Sequence, residues 1–75
     1  MSLSAAYKQH WIETRVEPLV MDDTQLMVFQ EEYVLSVTKK PGLCVLICEE
    51  IGTVMAPTCR KALSLAAAIF QEANQ

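Results

Sequence analysis

The chain has 75 residues, a formal net charge of −3 and an apolar fraction of 52%. A chain of this length can form one small domain but not two, because even one domain of this size buries only about 60% of its unfolded surface. We therefore treat residues 1–75 as a single domain. Apolar runs such as Leu43–Cys48 are far shorter than the roughly 20 residues that a transmembrane helix needs, so we expect no membrane span.

The basic residues are few and scattered. Surfaces that bind phosphate backbones need clustered Lys and Arg side chains, whereas this chain has six such residues against nine acidic ones. The basic residues are Lys8, Arg15, the pair Lys39 and Lys40, and the pair Arg60 and Lys61. The overall charge therefore argues against a nucleic acid partner, although a local basic edge at the two pairs stays open.

The cysteine count and the amino terminus bear on the cellular compartment. Cys44, Cys48 and Cys59 make an odd number, which does not suit the disulfide framework of a secreted domain. Residues 1–10 have no basic segment followed by an apolar run, as a secretory signal would. We therefore expect a cytoplasmic protein with reduced, non-catalytic thiols that are buried as core.

The first element predicted is a helix over residues 4–14. Ser4 can cap it, and Tyr7 and Trp11 recur on one side. Residues 12–16 also alternate in polarity, so the second half of this segment could instead be a strand. Pro18 then interrupts any hydrogen-bond ladder because it has no amide proton.

Residues 21–38 predict a turn followed by two strands. Asp22 and Asp23 favour a turn, since their side chains can bond the local backbone. The apolar run over residues 26–29 predicts one short strand, and residues 33–38 predict a half-buried strand with alternating faces.

A hairpin is predicted around Pro41 and Gly42, which have the dihedral preferences of the two central positions of a type II turn. Lys39 and Lys40 lead into this turn. The returning strand, over residues 43–49, has apolar side chains on both faces, so it should be central or covered on both sides. Residues 51–55 add a further short strand after a break at Gly52.

A final helix over residues 58–72 is predicted by its strong helix formers. Its apolar arc is wider than one sheet needs, and leaves only a narrow wetter stripe that includes Ser64 and Ala68. The whole sequence predicts an α+β fold: an N-terminal helix, an antiparallel meander of about three strands, and a C-terminal helix packed on the sheet.

Catalytic chemistry finds little support in the sequence. His10 is the single histidine, and the cysteines lie on apolar elements, where thiols act as small hydrophobes. Cys44 and Cys48, four positions apart on a strand, would be about 13 Å apart, too far to share a metal. Adjacent carboxylates point to opposite sides, and two glycines cannot form a phosphate loop. We predict no enzyme, no catalytic or metal-binding residue and no cofactor.

The function that the composition favours is protein binding. We predict a regulatory module that forms a homodimer or binds an unidentified protein, because soluble monomers rarely leave large apolar patches exposed. The residues predicted at the interface are Leu65, Ile69 and Ala73 of the last helix, and Trp11 as an aromatic anchor. Small acidic proteins without motifs are also common among inhibitors and regulators encoded by phages and mobile elements.

The alternative is a nucleic-acid-binding module. The order helix, three strands, helix resembles that of double-stranded RNA-binding domains. Arg60, Lys61 and the run Ala66, Ala67 and Ala68 resemble the basic start and alanine-rich middle of that family's last helix. The resemblance implies RNA contacts through Arg60 and Lys61, and we add Lys39 and Lys40 as the other basic pair.

Overall fold

Two helices and a three-stranded sheet make up the part of the chain that the computed structural model describes, residues 17–73, with the backbone alone described at Ala73. The elements are α1 (Asp23–Tyr33), β1 (Val34–Lys40), β2 (Leu43–Cys48), β3 (Gly52–Ala56) and α2 (Cys59–Ala73). The sheet is an antiparallel meander in the order β1-β2-β3. The predicted α+β fold, with a helix before the meander and a helix packed on the sheet, is confirmed.

The helix before the meander is α1, and it replaces the strand that we predicted over residues 26–29. A capping box starts α1: the Asp22 carboxylate accepts a hydrogen bond from Gln25 N at 2.8 Å, and Gln25 Oε1 accepts one from Asp22 N at 2.9 Å. Leu26 and Phe29 are buried, and Tyr33 packs against the core, which is the spacing of one helix face. The strand prediction was wrong because an apolar run of four residues is too short to distinguish the periodicity of a helix from that of a strand.

The helix predicted over residues 4–14, and the alternative strand over residues 12–16, lie outside the described residues. The predicted strand over residues 33–38 begins one residue later, at Val34, and continues through Lys40. Its ladder with β2 has an irregularity between Val34 and Ser36, where Leu35 has no partner.

The predicted tight turn joins β1 to β2. Lys40 pairs with Leu43, so Pro41 and Gly42 alone form the connection, and Gly42 has a φ of 70°. This is the left-handed region that a type II turn requires at its third residue. β2 is the central strand, as its two apolar faces predicted.

The core lies between α2 and one face of β2 and β3. β2 contributes Cys44, Leu46 and Cys48, which alternate with residues of the opposite face. The alanines of α2 let the helix approach the sheet closely, while Leu65 and Ile69 fill the remaining space. α1 closes one side of the core through three aromatic rings that contact one another: Phe29, Tyr33 and Phe70.

A disulfide joins Cys44 of β2 to Cys59, the first residue of α2, with a Cα–Cα distance of 5.1 Å. The prediction that all three thiols are reduced is therefore wrong for this pair, since an odd count leaves room for one bridge and one free thiol. Cys48 is the free cysteine, and it is buried as predicted. Closing a loop of about 15 residues stabilises a fold by about 3 kcal/mol on the chain-entropy estimate.

We predict that Gly42→Val lowers the free energy of unfolding by at least about 1 kcal/mol, because a β-branched side chain resists positive φ. A Cβ at this position would have no heavy atom within 4 Å, so the cost is one of backbone conformation and not of a clash. Gly42→Asn is the matched control and should lose less, since Asn tolerates the left-handed region. Urea denaturation of both variants checks this, and equal losses would contradict it.

We also predict that stability falls at alkaline pH because of Cys48. Burial raises the pKa of the Cys48 thiol above its ordinary value. The unfolded chain therefore loses this proton at a lower pH than the folded chain, and the contribution is complete below about pH 8.5 and lost as pH rises through the folded pKa. Urea midpoints from pH 7 to 10 should fall less steeply for Cys48→Ala, and parallel slopes would contradict the prediction.

Candidate functional site

The interface predicted on the last helix is occupied by the chain itself. Leu65 and Ile69 are 1% and 2% exposed, and both belong to the core. The premise that they form an exposed apolar face is therefore wrong. Ala73 ends α2, and its side chain is not among those described. Trp11 lies outside the described residues.

The wide apolar arc of α2 has a structural explanation. The sheet covers one side of the helix, and α1 packs against another. The segment before α1 also reaches α2, because Leu19 N donates a hydrogen bond to Ser64 O at 3.2 Å. Ser64 and Ala68, which we predicted to lie on a wetter stripe, are buried as well. A helix covered on several sides needs apolar residues around most of its circumference.

Apolar surface does remain on the other side of the sheet. We call Leu43, Val45 and Ile47 of β2, together with Met55 of β3, the helix-free face, because both helices found within residues 17–73 pack on the opposite side. The ladder places Val45 beside Met55, and Leu43 and Ile47 follow the same alternation along β2. Ile47 is 39% exposed, Leu43 and Met55 are partly exposed, and Val45 is buried. Uncharged Ser36, Thr38 and Thr53 pair with this face from the two edge strands.

Opposite charges mark the two ends of β2. Lys39 and Lys40 stand just before the turn that leads into the strand, and Glu49 and Glu50 follow its last residue. All four are exposed. The strand is six residues long, so the two charged ends are separated by about 20 Å. The helix-free face therefore has a basic end and an acidic end.

A second surface feature is a groove of about 600 Å³ between the β1–β2 turn and the start of α2. We call it the basic groove, because its lining contains three basic side chains and no acidic one. Its lining includes the basic residues Lys39, Lys40 and Arg60, as well as Thr58 and the disulfide cysteines Cys44 and Cys59. Thr58 caps the helix here: its Oγ1 accepts a hydrogen bond from Lys61 N at 3.2 Å.

The structure thus brings together three of the four basic residues predicted to contact nucleic acid. Arg60, however, is engaged elsewhere: its guanidinium donates to the Asp23 carboxylate and to Met21 O, the latter at 3.0 Å. This contact joins the start of α2 to the start of α1, and its exposure limits its contribution to about 0–1 kcal/mol. Lys39 and Lys40 therefore supply the uncompensated charge of the groove, while Lys61 is exposed outside its lining.

Residues 17–73 contain no group of three or more His, Cys, Asp or Glu side chains that could hold a metal ion. In the same part of the chain, neither helix has the length and apolar character needed to span a membrane. Comparison of the chain with protein-family models, curated proteins and solved structures gives no match. Within residues 17–73, the helix-free face and the basic groove are the two candidate functional surfaces.

Sequence reasoning missed both features, for different reasons. The sequence showed that β2 has apolar side chains on both faces. Whether Leu43, Val45 and Ile47 would be covered depends on where the helices pack. The pairing of Cys44 with Cys59 had no sequence signal, because it depends on the position of α2 over the sheet. The two basic pairs were visible in the sequence. That Lys39, Lys40 and Arg60 line one groove depends on where α2 packs.

Proposed function

We propose that this protein is a non-enzymatic binding module that acts through protein–protein contact, and that its first partner is a second copy of itself. The observation that supports this proposal is the helix-free face, where Ile47, Leu43 and Met55 leave apolar side chains partly exposed on the central strand. This face replaces Leu65 and Ile69 as the proposed interface.

Face-to-face packing of two sheets is a common way to cover such a surface. Stacked sheets lie about 10 Å apart, and the side chains of their inner faces interdigitate. A twofold axis makes one patch cover its own copy, so no second complementary surface is required. Val45 and Ile47 of the helix-free face pair with uncharged Ser and Thr side chains, and Lys40 pairs with Leu43 at the basic end, so two copies can meet around Val45 and Ile47 without burying like charges.

The charges at the ends of β2 select one orientation. In an antiparallel arrangement of the two β2 strands, Lys39 and Lys40 of one copy lie over Glu49 and Glu50 of the other. In a parallel arrangement, like charges would meet at both ends. Charge complementarity of this kind contributes orientation and association rate more than affinity. We therefore propose the antiparallel dimer.

A regulatory role follows from this proposal, since a module of this size acts by occupying a surface. Pairing would also control whether the helix-free face is free to meet an unidentified second protein. We also propose a cytoplasmic location. In that compartment the disulfide would be expected to form and break. Disulfides of cytosolic proteins in mesophiles are usually transient and redox-active rather than permanent.

We predict that sedimentation at micromolar concentration gives twice the 8.4 kDa monomer mass, and that Ile47→Lys halves it. A lysine here would place a charge in the apolar contact, with the same charge facing it from the second copy. Because Ile47 is 39% exposed in one chain, the substitution should leave the fold intact.

Val28→Lys is the matched control, since Val28 is 44% exposed on α1 and lies away from the helix-free face. It should remain dimeric. A monomer for the parent chain across the concentration range would refute self-association, and equal dissociation by both variants would refute the proposed face.

Nucleic acid binding is the second candidate, and the clustering of Lys39, Lys40 and Arg60 at one groove favours it. Two observations weigh against it. Arg60 is held by Asp23, and α1, the helix that precedes the meander, has exposed Glu31 and Glu32 that would repel phosphates. This candidate therefore ranks below protein binding.

A salt titration tests the second candidate with a double-stranded RNA of about 16 base pairs, the length that one RNA-binding domain spans. If the groove contacts phosphates, the logarithm of affinity should fall linearly with the logarithm of salt concentration. Lys39→Gln should then reduce the slope by about one. Absent or salt-independent binding would remove this candidate and leave the protein-binding proposal untouched.

A further inference from the structure

The disulfide lies on the wall of the basic groove, and its two cysteines differ in their exposure to solvent. Both cysteines line the groove, but Cys44 is 1% exposed and belongs to the core, whereas Cys59 is partly exposed. Thiol–disulfide exchange requires a thiolate to reach one sulfur in line with the S–S bond, so access decides which sulfur is attacked. Cys59 is the more exposed of the two cysteines, so we expect attack at its sulfur.

The surroundings of Cys59 are electropositive. Lys39 and Lys40 stand across the groove, and among residues 17–73 neither forms an ion pair, since the salt bridge found there joins Arg60 to Asp23. Cys59 is also the first residue of the 15-residue helix α2, where the backbone dipoles add positive potential. Such a site attracts an anionic reactant and stabilises a thiolate on Cys59.

We propose that the Cys44–Cys59 disulfide is redox-active and exchanges with a low-molecular-weight thiol that carries carboxylate groups and binds in the basic groove. This inference does not require the dimer, although the groove shares Leu43 with the helix-free face and shares Lys39 and Lys40 with the basic end of that face. It assigns the groove a ligand of a stated class: small, anionic and bearing a thiol.

The exchange balances in two steps. The incoming thiolate attacks Cys59 Sγ, a mixed disulfide forms there, and the Cys44 thiolate leaves and takes up a proton, since burial disfavours its charge. A second thiolate then attacks the outer sulfur of the mixed disulfide and releases the Cys59 thiolate and the oxidised small thiol. Two thiols are oxidised to one small disulfide, and the protein disulfide is reduced to two thiols.

Cys48 does not compete for this chemistry. It is buried on the core side of β2 and lies outside the groove lining. Burial also raises its pKa, so that it remains a neutral thiol at physiological pH. Any adduct formed on the folded protein should therefore be on Cys59.

Three small thiols of similar size provide the test: 3-mercaptopropionate, 2-mercaptoethanol and cysteamine, which are anionic, neutral and cationic. Rates of disulfide opening are measured for each, expressed per thiolate and divided by the rates with an uncharged small disulfide. The anionic thiol should react roughly threefold to tenfold faster than the cationic one at low salt. The ratio should approach one at about 1 M salt, where the screening length is about 3 Å.

The double variant Lys39→Gln, Lys40→Gln should remove the preference, and Lys39→Arg, Lys40→Arg should retain it because the charges are kept. Running the same rates on the Ile47→Lys variant separates this inference from the proposed dimer, since the preference should persist there. Peptide mapping of the parent protein after brief exposure to glutathione should locate the adduct on Cys59, and no variant needs to fold for this measurement.

Three outcomes would overturn the proposal. Equal normalised rates for the anionic and cationic thiols would show that the groove does not select charge. An adduct on Cys44 or Cys48 would contradict the access argument. A disulfide that resists millimolar thiol in the folded protein would be a structural bridge only.

Discussion

The packing of α2 on β2 and β3 is the contact on which the rest of the molecule depends. Leu46 and Val54 of the sheet and Leu65 of the helix belong to the same core cluster, and these three side chains are almost completely buried. The turn at Pro41 sets the register of the meander, but α2 decides which face of the sheet becomes interior. Once that face is chosen, neither helix of residues 17–73 covers the opposite apolar face, and the start of α2 stands beside the β1–β2 turn. Both candidate surfaces follow from this one arrangement.

The sequence predicted correctly those elements whose pattern lies in residues that are close together along the chain. The Pro41–Gly42 turn, the two-sided strand that follows and the alanine-rich helix were all readable, since each depends on residues close in sequence. The run over residues 26–29 was misread because four apolar residues suit a strand and a helix equally, and the reciprocal cap between Asp22 and Gln25 that decides the matter was not recognised.

The candidate site was less predictable, because it depends on packing between distant segments. The wide apolar arc around Leu65 suggested an outside partner, yet the sheet, α1 and the segment at Leu19 cover that arc within one chain. The same helix brings Cys59 to Cys44 across 15 positions. In a domain this small, neighbouring elements can bury the extra apolar side chains of one helix. The apolar side chains that stay exposed can then lie on another element.

The irregularity in β1 has a consequence for the edges of the sheet. Among the described residues, the three-stranded sheet has two edges that pair with no further strand, and an open edge is a template on which another chain can add by backbone hydrogen bonding. On β1, the irregularity at Leu35 interrupts the hydrogen-bond ladder, and the last two residues of the strand are the charged Lys39 and Lys40. β3 is only five residues long. These are the features by which natural sheets resist edge-to-edge growth into fibrils, so a protein that associates through a face can do so without extending into an open-ended polymer.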